Sequence, residues 1–195
     1  MTWQECRDIT LQKLFQCFEG PDRDEATLRY LAAMPAAASE GIAQVCAVRP
    51  LRGQVVLPAL AARADLSALA PDFAALGQPE VFTLEDGLPA AAVTGWSLLA
   101  GRVLCLPPQS VPVQVGYDRT PPRLPAHPAD DLVLELPGDA AALLPLYIAS
   151  QLYKEEDAGA AAVWRNEFEL GLERLARPDP GAAADRFVSV TGWCG

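Results

Sequence analysis

The chain is poor in the residue types from which most metal and acid–base sites are built. Histidine occurs once, at His127, and lysine twice, at Lys13 and Lys154. A structural zinc site needs four clustered Cys, His or carboxylate ligands. The five cysteines (Cys6, Cys17, Cys46, Cys105 and Cys194) are scattered at irregular spacing, with no C-x-x-C pair. An odd, unclustered set argues against a disulfide framework and fits a reducing compartment. Positive charge is also scarce, with 15 Lys and Arg against 25 Asp and Glu. The acids are spread along the whole chain, so they predict solubility rather than an acidic tail. Without a basic stripe to meet phosphates, direct sequence-specific nucleic-acid binding is not expected. No basic segment followed by an apolar run opens the chain, so no signal peptide is read there. No stretch approaches the ~18 uninterrupted apolar residues of a membrane span.

The motifs of common enzyme classes are missing too. The sequence holds no G-x-G-x-x-G, no G-x-x-x-x-G-K-[ST], no H-E-x-x-H and no G-x-S-x-G. His127 lies between Ala126 and Pro128 in a proline-rich stretch, a poor support for a general base that must be held against its proton donor. Asp130-Asp131 and Glu155-Glu156-Asp157 lack the alternating spacing of a calcium loop and read as solvated charge. No catalytic, cofactor-binding or metal-ligating residue is assigned, and no cofactor is expected.

What the chain has in quantity is proline, and its distribution divides the sequence. Thirteen of the 18 prolines lie between Pro50 and Pro137. Proline removes a hydrogen bond from a helix interior and clashes with the preceding turn, so this middle third is predicted to be strands and turns. The flanks carry helical periodicity. Thr2-Trp3-Gln4-Glu5 matches a capping box, followed by Leu11, Leu14, Phe15 and Phe18 on one face. Gly20-Pro21 ends this helix, and Asp22 starts a second one bearing Leu28, Tyr30 and Leu31, with Pro35 expected to kink or restart it. Near the C-terminus, Leu144, Tyr147, Ile148, Gln151 and Leu152 share a face, and Ala161, Trp164, Phe168, Leu172 and Leu175 form a second stripe.

Between the flanks, 54–60, 80–84, 90–98, 102–106, 111–117 and 132–136 read as short antiparallel strands, with Pro112 marking an edge or a bulge. The expected fold is α+β: a helical bundle from 1–50 and 137–178, an inserted β-sandwich-like module at 51–136, and a tail at 179–195. In that tail Val188, Val190 and Trp193 alternate with small or polar residues, as in a strand added to a neighbour's sheet. The tetrapeptide Val-Thr-Gly-Trp occurs at 93–96 and again at 190–193, with nothing repeated around it. Phe73, Phe82, Trp96 and Tyr117 in the β module are expected mainly as core, the alternative being a sugar-stacking platform.

One segment resembles a known group. Residues 143–157 run Leu-Leu-Pro-Leu-Tyr-Ile-Ala-Ser-Gln-Leu-Tyr-Lys-Glu-Glu-Asp, and Trp164-Arg165-Asn166-Glu167-Phe168-Glu169 follows. The pattern is similar to one in structural proteins of tailed phages and prophages, in the neck or head-to-tail adaptor region. There a helix of the form L-Y-I-A-x-x-L-Y, an acidic turn and a second helix with N-E-F-E close the chain. Thr2–Glu5 with Leu11 and Leu14, Tyr30–Ala37, and Val115–Pro121 also resemble that group.

The resemblance implies a non-enzymatic virion component that works as a ring of copies beneath the portal and joins head to tail. Its partners would be itself and portal or tail proteins, with no membrane, and its place the virion or the host cytoplasm. The residues it marks, Tyr147, Gln151, Tyr153, Asp157, Trp164, Asn166 and Phe168, are packing and capping types, and Val188, Val190 and Trp193 would be subunit contacts. Simple adaptors are nearly all helical, so the strands of the middle third also suit a tail or baseplate component. A β-sandwich that binds a carbohydrate or cell-surface ligand is the other reading.

Overall fold

The computed structural model describes residues 1–14, 25–76 and 81–177. Phe15, Phe18, Gly20-Pro21, Asp22 and the tail residues Val188, Val190 and Trp193 lie outside them. The fold is α+β, with helices at both ends of the described chain and antiparallel sheets between them. The chain divides into two compact units: one of Met1–Arg49 with the chain from Arg123 onward, the other of Pro50–Pro122.

In the first unit, α1 (Trp3–Lys13) begins with the capping box that its sequence predicts. The Glu5 amide donates to Thr2 Oγ1 at 3.2 Å, and the Thr2 amide donates to Glu5 Oε2 at 2.8 Å. α2 (Glu25–Val48) runs unbroken through Pro35, against the expectation of a kink or restart. The Ser39 hydroxyl donates to the Pro35 carbonyl at 2.8 Å and accepts the Leu124 amide at 3.0 Å, tying this turn to the proline-rich segment. The buried face of α2 is Thr27, Tyr30, Met34, Ala38, Ile42 and Val45, while Leu28 is exposed rather than on the apolar face. Thr27 takes its place because a three- and four-residue step from Tyr30 and Met34 lands there.

By length and composition α2 could cross a bilayer, and 44% of its most apolar window is buried inside the chain. A single turn, α3 (Leu66–Leu69), belongs to the second unit. The first unit continues with a short α4 (Gly138–Ala141), then α5 (Leu144–Leu152) and α6 (Ala158–Ala176). α5 is the central element, packed by α1, α2 and α6.

Residues 123–136, expected as the last strand and exit of the β module, belong to the helical unit instead. Leu132–Leu136 forms no strand; it makes a single bridge, Thr2 to Val133. The amides of Trp3 and Gln4 donate to the carbonyls of Leu132 and Asp130 at 2.8 and 3.0 Å, and Arg7 pairs with Asp130. The first-turn amides of a helix have no partner within it, and here an extended segment supplies two of them.

The second unit holds β1 (Arg52–Leu57), β2 (Arg63–Asp65), β3 (Phe73–Ala75), β4 (Val81–Glu85), β5 (Leu88–Ala92), β6 (Ser97–Leu99), β7 (Val103–Cys105) and β8 (Val113–Arg119). One sheet has the order β1-β8-β4-β5, with β3 also on β8, and the other the order β2-β7-β6. Both feed one core of Leu57, Leu66, Val81, Leu104, Val113 and Val115. β8 is a central strand, and Pro112 stands just before it, so the missing N–H interrupts no ladder and marks neither an edge nor a bulge. The Pro112 carbonyl still accepts the Leu84 amide at 2.8 Å. Asp86-Gly87 and Ala100-Gly101 close two hairpins with positive φ at both positions, the geometry that matches strand twist.

Candidate functional site

The residues that carry the resemblance lie on α5, the turn after it, and α6. Pro145 in the first turn of α5 costs no internal hydrogen bond, because the amides there have no intrahelical partner. Tyr147 is buried beneath α2 and α6. Gln44 Nε2 donates to its hydroxyl at 3.0 Å, and the hydroxyl donates to Glu40 Oε2 at 3.3 Å. Burial first, and the Glu40 charge second, raise the pKa of this phenol, so it stays protonated and acts as a donor.

The Phe168 ring packs against Tyr147 with centroids 5.0 Å apart, and the Arg165 guanidinium lies 5.3 Å from one ring centre and 5.5 Å from the other. Arg165 is held in turn by Glu169, 2.7 Å away and one helical turn on. At the hairpin's other end, Tyr153 and Trp164 pack with centroids 5.5 Å apart. Asp157 is the N-cap of α6 and accepts the Gly159 and Ala160 amides at 2.9 and 3.0 Å.

Five of the seven marked residues therefore act together: Tyr147 with Phe168, Tyr153 with Trp164, and Asp157 at the turn. Gln151 and Asn166 do not join them. Gln151 accepts from Lys154 within its own turn, and Asn166 is exposed on α6. Sequence reasoning missed Glu40, Gln44 and Arg165, and also two glycines at the helix contacts. A Cβ on Gly41 would stand 2.9 Å from the Tyr147 ring, and one on Gly171 would stand 2.4 Å from Leu143. The signal available was a glycine inside each helical run, which costs about 1 kcal/mol against alanine and so asks for a packing reason.

No family model matches the chain, and no curated protein matches it. The site therefore rests on its geometry. A buried tyrosine clamped by polar groups, two aromatic pairs and a capped turn can hold helices at a fixed angle.

Other candidates are placed as follows. Cys6 is fully buried, and burial pushes its thiol up to about 12, so it is not a thiolate at neutral pH. His127 is exposed beside a surface cavity of about 180 Å³ that Trp3 and Arg7 also line. No cluster of three or more His, Cys, Asp or Glu able to hold a metal occurs among the described residues. Tyr30 is buried at a cavity of about 220 Å³ between α2 and the acidic turn. Burial and the nearby Glu156 raise its pKa, although no described group meets its hydroxyl with hydrogen-bond geometry.

In the β unit Tyr117 is buried and donates to Asp72 Oδ1 at 2.8 Å. Arg119 and that phenol hold the Asp72 carboxyl below its ordinary pKa. Phe73 and Trp96 are partly buried against the core, so neither stands as a free aromatic platform.

Replacing Asp157 with alanine should lower the stability of the helical unit by about 1 kcal/mol, the usual cost of a lost N-cap. Asn at the same position should restore most of it, since its side-chain oxygen still accepts. Denaturant unfolding followed by circular dichroism measures both, and an alanine variant as stable as the natural protein would show that the cap contributes nothing.

Proposed function

We propose that the protein is a non-enzymatic structural subunit of a phage or prophage particle, working in a homo-oligomeric ring of the head-to-tail adaptor type. The observation that carries this reading is the α5–α6 hairpin. Five of the residues marked by the resemblance meet in one stapled and capped unit, with Tyr147 and Phe168 buried at its base and Tyr153, Trp164 and Asp157 toward the turn. A hairpin built this way presents the outer face of α6 as a rigid surface. Val163 and Leu170, both 54% exposed and two turns apart, lie on it. Such a face suits contact with a neighbouring copy or with a portal or tail protein. The half-buried placement of Trp96 lends no support to the carbohydrate-binding alternative.

Light scattering across a concentration series tests the ring. A discrete multiple of the monomer mass, or a climb toward one with concentration, is the expected result. A strict monomer, both alone and with candidate portal and tail proteins, overturns the reading.

A further inference from the structure

Sheet edges expose backbone donors and acceptors, and proteins normally blunt them with proline, bulges, short strands or charge. Four of the five strands in the second unit that have a single partner follow that rule. β5 contains Pro89 and a register shift against β4, and β2, β3 and β6 have three residues each. β1 does not. It has six residues, no proline, and an uninterrupted register with β8 from Arg52↔Asp118 to Leu57↔Val113.

The direction of its free groups follows from one bond. The Arg119 amide donates to the Leu51 carbonyl at 2.8 Å, so residues 51 and 119 form a hydrogen-bonded pair. Antiparallel pairs alternate, which turns the N–H and C=O of Gly53, Val55 and Leu57 toward β8 and those of Arg52, Gln54 and Val56 outward. All three outward residues are exposed, Val56 at 57%. Arg52, the one charge that could guard this edge, is drawn back across the strand by Asp118, 2.7 Å away.

We infer that β1 is the acceptor for the C-terminal segment 186–193 of a second copy, which adds to the sheet as a further strand. Three observations favour this occupant. The segment Arg186-Phe187-Val188-Ser189-Val190-Thr191 is rich in β-branched residues, and from Val188 to Thr191 it alternates apolar with polar positions. Paired with β1, Val188 and Val190 would extend the apolar face that Val55 and Leu57 turn to the core. The eight residues 178–185 supply about 25 Å of connector after the last described residue, so the segment need not stay beside α6. A tail on one subunit and an edge on the next make a head-to-tail contact, the kind that closes rings. The second copy, but not the choice of edge, rests on the ring reading above.

Three forms of the full chain test the pairing: the natural protein, a form lacking residues 186–195, and Gln54→Pro. Proline at 54 removes an outward N–H and leaves the bonds to β8 intact. Val56→Lys is a second edge variant should the proline disturb folding. Amide exchange at 52, 54 and 56, read together with mass, is the measurement. In the natural protein these amides should be protected, and deletion of the tail should cut that protection about tenfold or more while lowering the mass. The edge variants should also lower the mass, and a synthetic 184–195 peptide should restore protection to the truncated chain.

An unchanged mass and unchanged β1 exchange after tail deletion overturn the pairing and leave the ring standing. Loss of mass in Gln54→Pro but not in the deletion assigns the edge to a second β1 instead. Protection in a strict monomer shows that the tail closes on its own chain, and both of these results overturn the inference. A monomeric protein whose truncated form binds the peptide at β1 likewise overturns the pairing between copies, together with the ring.

Discussion

Phe168→Ala is expected to lower the unfolding free energy of the helical unit by about 3–5 kcal/mol, the range for emptying a phenylalanine site in a core that cannot collapse. Phe168 is completely buried, and its ring is one wall of the Tyr147 pocket. Removing it strips Tyr147 of its aromatic partner and leaves the Arg165 guanidinium with one ring instead of two. The neighbours that could move inward are themselves committed. Tyr147 is held by Gln44 and Glu40, and the chain around it by the close approach of Gly41. Denaturant unfolding followed by far-ultraviolet circular dichroism measures the loss. Phe168→Leu should cost markedly less, because most of the volume stays. A loss under about 1 kcal/mol for the alanine variant, the size of an ordinary surface change, would mean that the hairpin does not depend on this ring.

The second large effect is expected at Gly53 on β1. A Cβ there would lie 2.3 Å from Cζ and 2.6 Å from the hydroxyl oxygen of Tyr117, its cross-strand partner. Tyr117 cannot yield cheaply. Its hydroxyl is bonded to Asp72, and its ring packs on Phe73 with centroids 5.7 Å apart. Gly53→Ala should therefore destabilise the β unit by about 3 kcal/mol, combining overpacking with loss of the phenol–carboxylate bond. The same substitution in a Tyr117→Ala background should cost almost nothing, since the obstructing ring is gone. A double-mutant cycle reads this coupling directly. Equal costs in both backgrounds would show that the glycine is needed for some reason other than Tyr117.

Both effects fall on residues whose partners lie far away in sequence, which explains why they were hard to foresee. Phe168 was legible as part of a stripe, but not as the ring that faces Tyr147. Gly53 lies in a strand that periodicity alone places two residues late, at 54–60 rather than Arg52–Leu57. Local chemistry was far more readable. The capping box at Thr2 and Glu5 forms as its sequence pattern requires, because all its atoms lie within one helical turn. The acidic turn before α6 is likewise visible, with Asp157 the one acid of it that the resemblance marks, and the structure makes that residue the cap.

Proline misled in both directions. At Pro112 it suggested a disrupted strand, yet it precedes the central β8. At Pro35 it suggested a broken helix, yet α2 continues through it. In each case the cost of the missing N–H depends on what the fold asks of that position.

From the sequence alone came the α+β class, the helical flanks around a proline-rich strand region, and the capped start of α1. These follow from side-chain period and from contacts three or four residues long, which are written in neighbouring letters. The tertiary structure decided the rest: that 123–136 joins the helices, that β8 is central and β1 an open edge, and that Gln44, Glu40 and Arg165 surround Tyr147. Those outcomes depend on which segments meet across a hundred residues of chain. Such meetings are selected by packing and by the pairing of buried polar groups, and neither leaves a mark at any single position in the sequence.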